Sequence, residues 1–266
     1  MIGRVEHIVG YSLLIIFSAL SIGPIVGVIL QSFSGQRIAH DWTLTNVQTA
    51  WDVGRFSTTL PASLIVAVGT TALCLVLSVC AGYAFGCMRF RGATILFYVV
   101  LLGMIVPLEP VVISLYYTFL DVSLINTYQG LILAEALVFF PFGVFWMRAF
   151  FRSVPRSLLD AARIDGASEF RTLRSVLLRP ALPAMLTLGV LVFVWSWNEF
   201  LVSLVLFSGG EVTTAPVSVA IFTGQYFVDI PSQAAAALIL SLPPLILYLF
   251  FQRQFIRGVL AGSMKG

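Results

Sequence analysis

Six long apolar segments constrain what this chain can fold into more than any other feature of its sequence. The segments cover residues 8–30, 60–85, 93–116, 128–150, 182–207 and 234–251. A helix needs about 20 mostly apolar residues to cross a bilayer, and each segment is long enough to do so. Only 10% of the 266 residues are charged, whereas a soluble domain carries about 25% charged residues. We therefore predict an all-α membrane protein in which residues 1–266 form one transmembrane domain with six spanning helices.

The positions of the basic residues predict how the chain is oriented in the membrane. If the N-terminus is cytoplasmic, 13 of the 15 Lys and Arg residues fall on that side, seven of them in or beside a loop over residues 151–181. Cytoplasmic loops of bacterial inner-membrane proteins are enriched in Lys and Arg. We therefore predict a multi-pass inner-membrane protein with both termini inside and a cytoplasmic tail over residues 252–266. Topology and lipid headgroups then explain the net charge of +3 without a nucleic-acid partner.

The residue types needed for several kinds of catalysis are scarce in this sequence. It has one lysine, Lys265, so no lysine follows a Gly-rich turn as a phosphate-binding P-loop requires. It has two histidines, His7 and His40, which are too far apart to form a zinc-binding H-E-x-x-H motif. We therefore expect no enzyme activity, no metal site and no cofactor in this chain.

The loop over residues 151–181 carries the most informative local pattern. Its residues Asp160-Ala-Ala-Arg-Ile-Asp-Gly166 predict a short helix with small residues on one face. Gly166 is expected to end this helix, because glycine adopts the left-handed conformation without steric cost. Ser168 is expected to cap a second helix, in which Phe170 and two leucines recur at helical spacing.

This pattern resembles the Glu-Ala-Ala loop of binding-protein-dependent ABC permeases. Asp160 stands in place of the family's Glu, Ala161 and Ala162 match its alanines, and Gly166 matches its glycine. The substitution of Asp for Glu keeps the charge but shortens its reach. The C-terminal residues 252–266 and the Trp197-Asn-Glu-Phe200 segment are also similar to carbohydrate-type permeases, in particular to the smaller membrane subunit of maltose-type importers.

The resemblance implies a type I ABC importer fold with a cytoplasmic coupling helix between membrane helices 4 and 5. It implies that the chain forms half of a translocation path for a sugar or sugar-like solute. The expected partners are a second permease subunit, an extracytoplasmic solute-binding protein, and two cytoplasmic ATPase subunits that bind ATP and Mg²⁺. The residues expected to couple to the ATPase are Leu159, Asp160, Ala161, Ala162, Arg163, Asp165, Gly166 and Ala167. An alternative for Asp160 is a local ion pair with Arg156 or Arg163.

Polar residues within or beside the apolar segments suggest where solute passes. An ionisable side chain inside the bilayer is costly, so it marks a candidate functional site. We therefore consider Glu135, Trp195, Asn198 and Glu199 as lining the path, with the tryptophan offering a face to a sugar ring. The alternative for the two glutamates is a hydrogen bond between helices at the subunit interface.

Two alternatives remain, one from the same functional class and one from another. In the first, the chain is an ABC permease for a different solute, such as a polyol or glycerol phosphate. In the second it is a self-contained secondary carrier, which requires inverted repeats and broken helices that bind ions near the midplane. The sequence shows neither feature clearly.

Overall fold

The computed structural model describes residues 4–35, 42–207, 213–223 and 229–263. The α-helices in these ranges are α1 (Arg4–Ser32), α2 (Thr45–Val53), α3 (Phe56–Cys87), α4 (Ala93–Leu102), α5 (Leu108–Asp121), α6 (Tyr128–Ser153), α7 (Arg156–Ile164), α8 (Glu169–Arg171), α9 (Leu178–Trp197), α10 (Leu201–Leu206), α11 (Ala215–Val219) and α12 (Ile230–Ser263). A π-helical segment, Thr172–Leu177, joins α8 to α9, and a single 3₁₀ turn, Ala220–Phe222, follows α11. An isolated bridge pairs Ser34 with Trp42, and these ranges contain no β-strand. The prediction of an all-α protein is therefore confirmed.

Five helical stretches are long and apolar enough to cross a membrane. They are Val9–Ser32, Phe56–Cys87, Tyr128–Ser153, Glu169–Trp197 and Ile230–Gln252. Each overlaps one of the apolar segments found in the sequence, so five of those segments contain a helix long enough to span.

The third apolar segment, residues 93–116, is not one helix as the sequence suggested. It is divided into α4, which ends at Leu102, and α5, which begins at Leu108. Gly103 follows the first helix and Pro107 immediately precedes the second. Proline has no N–H to donate and disfavours helical geometry in the residue before it, which accounts for a break at this point.

The fifth apolar segment, residues 182–207, begins earlier and ends earlier than expected. The helix starts at Glu169, inside the predicted loop over residues 151–181, and ends at Trp197. Three residues, Asn198, Glu199 and Phe200, separate it from α10. The loop is also shortened at its start, because α6 continues to Ser153.

The chain divides into two compact units, of which the first comprises residues 1–59 and 217–242. In this unit the side-chain amide nitrogen of Asn46 donates hydrogen bonds to the carbonyl oxygens of Ser32 and Ser34, at 3.1 and 2.8 Å. These bonds attach α2 to the end of α1. The Asp229 carboxylate accepts from the Ser232 N–H at 3.2 Å, which caps the start of α12.

The second unit comprises residues 60–216 and 243–266 and contains two apolar clusters. The first cluster gathers Cys74, Tyr83, Met147, Phe151, Leu159, Leu173, Leu177 and others. The second gathers Val66, Val112, Phe119, Leu131, Val202, Leu206 and others. The same helices, α3 and α6, contribute to both clusters, so they form the spine of this unit.

Helices α3 and α6 run parallel and approach closely at small residues. A Cβ atom added at Gly69 would lie 2.5 Å from Ile132, and one added at Gly82 would lie 2.5 Å from the Cβ of Met147. The residue numbers of the contacting positions increase together along both helices, which indicates that the helices are parallel. Glycine at such points lets two membrane helices approach more closely than any larger residue would.

Candidate functional sites

The short helix α7 is the candidate coupling helix, and its two faces differ sharply. Leu159 and Ala162 are buried, and Leu159 packs in the same apolar cluster as Leu173 and Leu177. Asp160 and Arg163 lie on the exposed side. The helix is therefore held on the bundle by one face, and its other face is exposed.

The turn that ends α7 has the geometry that the sequence indicated. Gly166 has a φ of +71°, the left-handed conformation that glycine adopts most easily. The N–H of Gly166 donates to the carbonyl of Arg163, and the N–H of Ala167 donates to that of Ala162, both at 3.0 Å. This pair of bonds is a Schellman motif, with Asp165 as the C-cap residue. Beyond the turn, Ser168 caps α8 by accepting from the N–H of Arg171 at 3.3 Å, as predicted.

A chain of polar contacts leads from the exposed face of α7 to the interior. Arg163 lies 3.5 Å from the Asp160 carboxylate and 3.9 Å from that of Glu169. The other oxygen of Glu169 accepts a hydrogen bond from the hydroxyl of Tyr83, on α3. Asp160 thus makes one of the two local ion pairs considered as its alternative. Because both partners are more than half exposed, the pair contributes about 0–1 kcal/mol and leaves Asp160 free to exchange partners.

Two large apolar side chains beside the turn that ends α7 are unusually exposed. Ile164 is 86% exposed and Phe170 is 71% exposed. Sequence reasoning placed Phe170 on the apolar face of the second helix and did not single out Ile164. Large apolar side chains that are exposed beside charged ones are typical of a surface that binds another protein.

The intramembrane carboxyl group of Glu135 lies at the junction of three helices. Its side chain is on α6 and is only 1% exposed. Oε2 accepts hydrogen bonds from the Ser196 hydroxyl on α9 and, at 3.2 Å, from the Thr70 hydroxyl on α3. Oε1 is buried and has no partner among the described residues. The glutamate therefore makes helix–helix hydrogen bonds within its own chain.

The other three candidate path residues lie at the end of α9. Trp195 is partly exposed and packs edge-on against Phe142 of α6, with ring centroids 4.8 Å apart. The Asn198 amide nitrogen donates to the carbonyl of Val194 at 2.7 Å. The Glu199 carboxylate accepts from the N–H of Val202 at 3.0 Å, so it satisfies one N–H in the first turn of α10. These hydrogen bonds of Asn198 and Glu199 are local, whereas Glu135 bonds across helices.

Sequence reasoning missed the hydroxyl groups that complete both sites. Thr70, Tyr83 and Ser196 lie within apolar helices, where single hydroxyl groups carry no spacing signal. The one signal in the sequence is that each is a polar side chain within an apolar segment. A polar group that is buried there is expected to have a hydrogen-bond partner. Which acceptor each one reaches depends on how helices distant in sequence pack.

The chain matches known proteins over most of its length. Residues 78–260 match a family model described as "Binding-protein-dependent transport system inner membrane component". The chain is 32% identical over 263 residues to the trehalose transport system permease protein SugB of Mycobacterium tuberculosis, covering 97% of this chain and 94% of that protein. It is 35% identical over 207 residues to the arabinooligosaccharides transport system permease protein AraQ of Bacillus subtilis, covering 77% of this chain and 72% of that protein.

A solved structure shares the fold. It is the crystal structure of a bacterial ABC transporter involved in the import of the acidic polysaccharide alginate. One of its chains superposes with a TM-score of 0.81 at 22% identity, covering 95% of this chain and 97% of that one.

Proposed function

Because this chain belongs to the family of binding-protein-dependent transport system inner membrane components, we propose that it forms half of the translocation path of an ATP-driven importer. A second, related permease subunit completes the path. Two cytoplasmic ATPase subunits bind ATP and Mg²⁺ and carry out the hydrolysis, and a solute-binding protein delivers the cargo outside. In this proposal the chain itself is not an enzyme.

The geometry of α7 is the observation that best supports this proposal. A helix of nine residues, Arg156–Ile164, is anchored on the bundle by Leu159 and ends in the Gly166 turn. A short rigid helix fixed to a membrane bundle transmits a push from outside, because its buried face cannot slide without disturbing a packed core. Docking of its exposed face into an ATPase would therefore move the bundle when the ATPase dimer closes.

The coupling surface combines charged and apolar side chains. Asp160 and Arg163 supply charges for pairing with the ATPase, and the exposed Ile164 supplies apolar area. Ala161, also exposed, allows close approach, while Asp165, Gly166 and Ala167 set the angle at which the helix ends.

We propose a topology of six crossings with both termini in the cytoplasm of a bacterial cell. The two helices α4 and α5 together supply the third crossing, interrupted at residues 103–107. Interrupted helices occur inside transporters where the freed backbone groups face protein or water instead of lipid. The distribution of Lys and Arg supports this orientation.

The cargo we propose is a sugar or sugar-like solute. The two relatives described above are named for transport of trehalose and of arabinooligosaccharides. Trp195, Asn198 and Glu199 lie together at the end of α9 and combine an aromatic face with hydrogen-bonding groups, which is the chemistry that sugars require. Glu135 is buried in this conformation, so in this proposal it meets the path only when α3, α6 and α9 separate.

Co-purification with an ATPase tests the proposal directly. The tagged chain is expressed in its native membrane and extracted in detergent, and its bound proteins are identified. We expect a P-loop ATPase and a second permease to accompany the wild-type chain. The variants Asp160→Arg and Gly166→Arg should retain the second permease but lose most of the ATPase.

Gly92→Arg is a matched control for Gly166→Arg. Gly92 also has a positive φ, +82°, and neither glycine has any atom within 4 Å of an added Cβ. It lies in the loop between α3 and α4 and not on the α7 surface. If Gly92→Arg and Gly166→Arg reduce ATPase binding equally, the role assigned to α7 is wrong.

A further inference from the structure

The hydrogen bond between Tyr83 and Glu169 joins parts of the chain that the proposed coupling mechanism treats separately. Tyr83 lies near the end of α3, and Glu169 is the first residue of the helical stretch Glu169–Trp197. The two residues are 86 positions apart in sequence, and the Tyr83 hydroxyl donates to Oε2 of Glu169. A phenol bound to a carboxylate is a charge-assisted hydrogen bond, about twice as strong as a neutral one.

Tyr83 is well placed to hold several helices at once. Its side chain is 4% exposed and belongs to the apolar cluster that includes Leu159 of α7. Its ring packs edge-on against Phe151 of α6, with centroids 5.8 Å apart. The ring of Tyr83 therefore contacts α6, and its hydroxyl reaches the start of the helical stretch Glu169–Trp197, called the α8–α9 stretch below.

Glu169 connects this buried point to the surface of α7. Its second oxygen, Oε1, lies 3.9 Å from Arg163, whose guanidinium lies 3.5 Å from Asp160. Those two ion pairs are about half exposed and weak on their own. Among the contacts that connect Asp160, Arg163 and Glu169 to Tyr83, the hydrogen bond to Tyr83 is the one that reaches the packed interior.

The helix that Glu169 begins has a feature suited to carrying motion. After Arg171 it widens into the π-helical segment Thr172–Leu177 and then continues without interruption to Trp197. A π-helical segment is less stable than an α-helix and is frequently found at functional positions. This segment is therefore the place in the stretch where the helix can rewind if its start is not held.

We propose that the Tyr83–Glu169 hydrogen bond is a clamp that makes α7, α3 and the start of the α8–α9 stretch move as one body. Tyr83 and Glu169 are positioning residues in this account, and the inference rests on the proposed docking of α7 to an ATPase. Without the clamp, closure of the ATPase displaces α7 while α3 stays behind. ATP is then hydrolysed without moving the membrane helices.

Distances between spin labels on α3 and α7 test the clamp. Cys80 is native and exposed on α3, and Ser157 is exposed on α7. A Ser157→Cys chain in which Cys74 and Cys87 are replaced by alanine takes one label at each site. Distances are measured by double electron–electron resonance in the complex with its ATPase, without nucleotide and after trapping with ATP and vanadate, and also in the chain alone.

The expected results separate the hydrogen bond from other effects of mutation. The labelled chain with no further substitution should give one narrow distribution of label-to-label distances in all three states. Tyr83→Phe and Glu169→Ala should give a second distance whose population rises about tenfold or more, because a hydrogen bond to a charged group is lost. Glu169→Gln keeps a neutral carbonyl acceptor for Tyr83, so the second distance should be much less populated than in Glu169→Ala. The control Thr187→Val removes a hydroxyl that bonds only within α9, to Pro183 at 3.0 Å, and should change nothing.

Two results would overturn the clamp. The first is a single distance in Tyr83→Phe through the nucleotide cycle. The second is a Glu169→Gln chain that behaves like Glu169→Ala, since the ion pair with Arg163 would then be the contact that matters. Failure of the chain to bind any ATPase would instead refute the proposed function, while the distances in the chain alone would still decide whether the clamp exists.

Discussion

The close approach of α3 and α6 at Gly82 predicts a specific loss of stability. In Gly82→Ala the new methyl would lie 2.5 Å from Met147 Cβ and 2.9 Å from the backbone nitrogen of Arg148. That is roughly 1 Å closer than the 3.5–4.0 Å at which carbon atoms pack best. Neither atom can swing aside, because one is backbone and the other is attached directly to it. The helices must separate, at a cost of about 1–3 kcal/mol for overpacking.

The variant Gly23→Ala provides the matched control. Gly23 lies within α1, and an added Cβ there meets nothing within 4 Å. Both changes add one methyl to a helical glycine, so the intrinsic helical preference of alanine affects them equally. The difference between the two variants therefore measures the contact between α3 and α6.

Cys74 is a natural reporter for this experiment. It is buried, and its sulfur would lie 3.4 Å from a Cβ added at Gly143 of α6, so it marks the α3–α6 interface. With Cys80 and Cys87 replaced by alanine, a thiol-reactive fluorophore reports when heating exposes Cys74. We expect the Gly82→Ala midpoint to fall about 2–12 °C below that of Gly23→Ala. Equal midpoints would show that the two helices do not meet as described.

Two further predictions concern polar contacts. Glu135→Gln keeps an acceptor for the Thr70 and Ser196 hydroxyls, so its thermal midpoint should stay close to that of the wild type. Glu135→Ala leaves both hydroxyls without that acceptor, which should lower the free energy of unfolding by about 1–3 kcal/mol. Equal midpoints for the two variants would contradict this. Thr127 caps α6 by accepting from the N–H of Gly130 at 3.0 Å, so Thr127→Val should destabilise the chain by about 1 kcal/mol in the same assay. Thr127→Ser keeps the hydroxyl and is the control, and a midpoint as low as that of Thr127→Val would show that the cap is not what is lost.

Local features of the fold were predictable because neighbouring residues determine them. The left-handed conformation of Gly166 and the capping by Ser168 follow from a few adjacent residues, and both are present. The long apolar helices were predictable for a similar reason, since the length of an apolar run alone makes a segment able to span a bilayer. The break at Pro107 was visible in the sequence as well, but the apolar run through residues 93–116 outweighed it in the prediction.

Contacts between distant segments were not predictable from one sequence. Glu135 was expected to line a path or reach another subunit, and its bonds to Thr70 and Ser196 depend on three helices meeting at one depth. The pairing of Tyr83 with Glu169 likewise requires the end of α3 to lie beside the start of α8. Nothing in the spacing of these residues specifies such a meeting, because hydroxyl groups are compatible with many acceptors.

ATP-dependent uptake is the most direct test of the central claim that this chain works as half of an ATP-driven importer. The chain is reconstituted into proteoliposomes with its co-purifying permease, ATPase and solute-binding protein, and uptake of radiolabelled trehalose and an arabino-oligosaccharide is followed. We expect uptake of at least one sugar to require ATP and the binding protein, to be lost in Asp160→Arg, and to persist when an ionophore collapses ion gradients. Uptake by this chain alone, without ATP and abolished by the ionophore, would identify a secondary carrier and contradict the account.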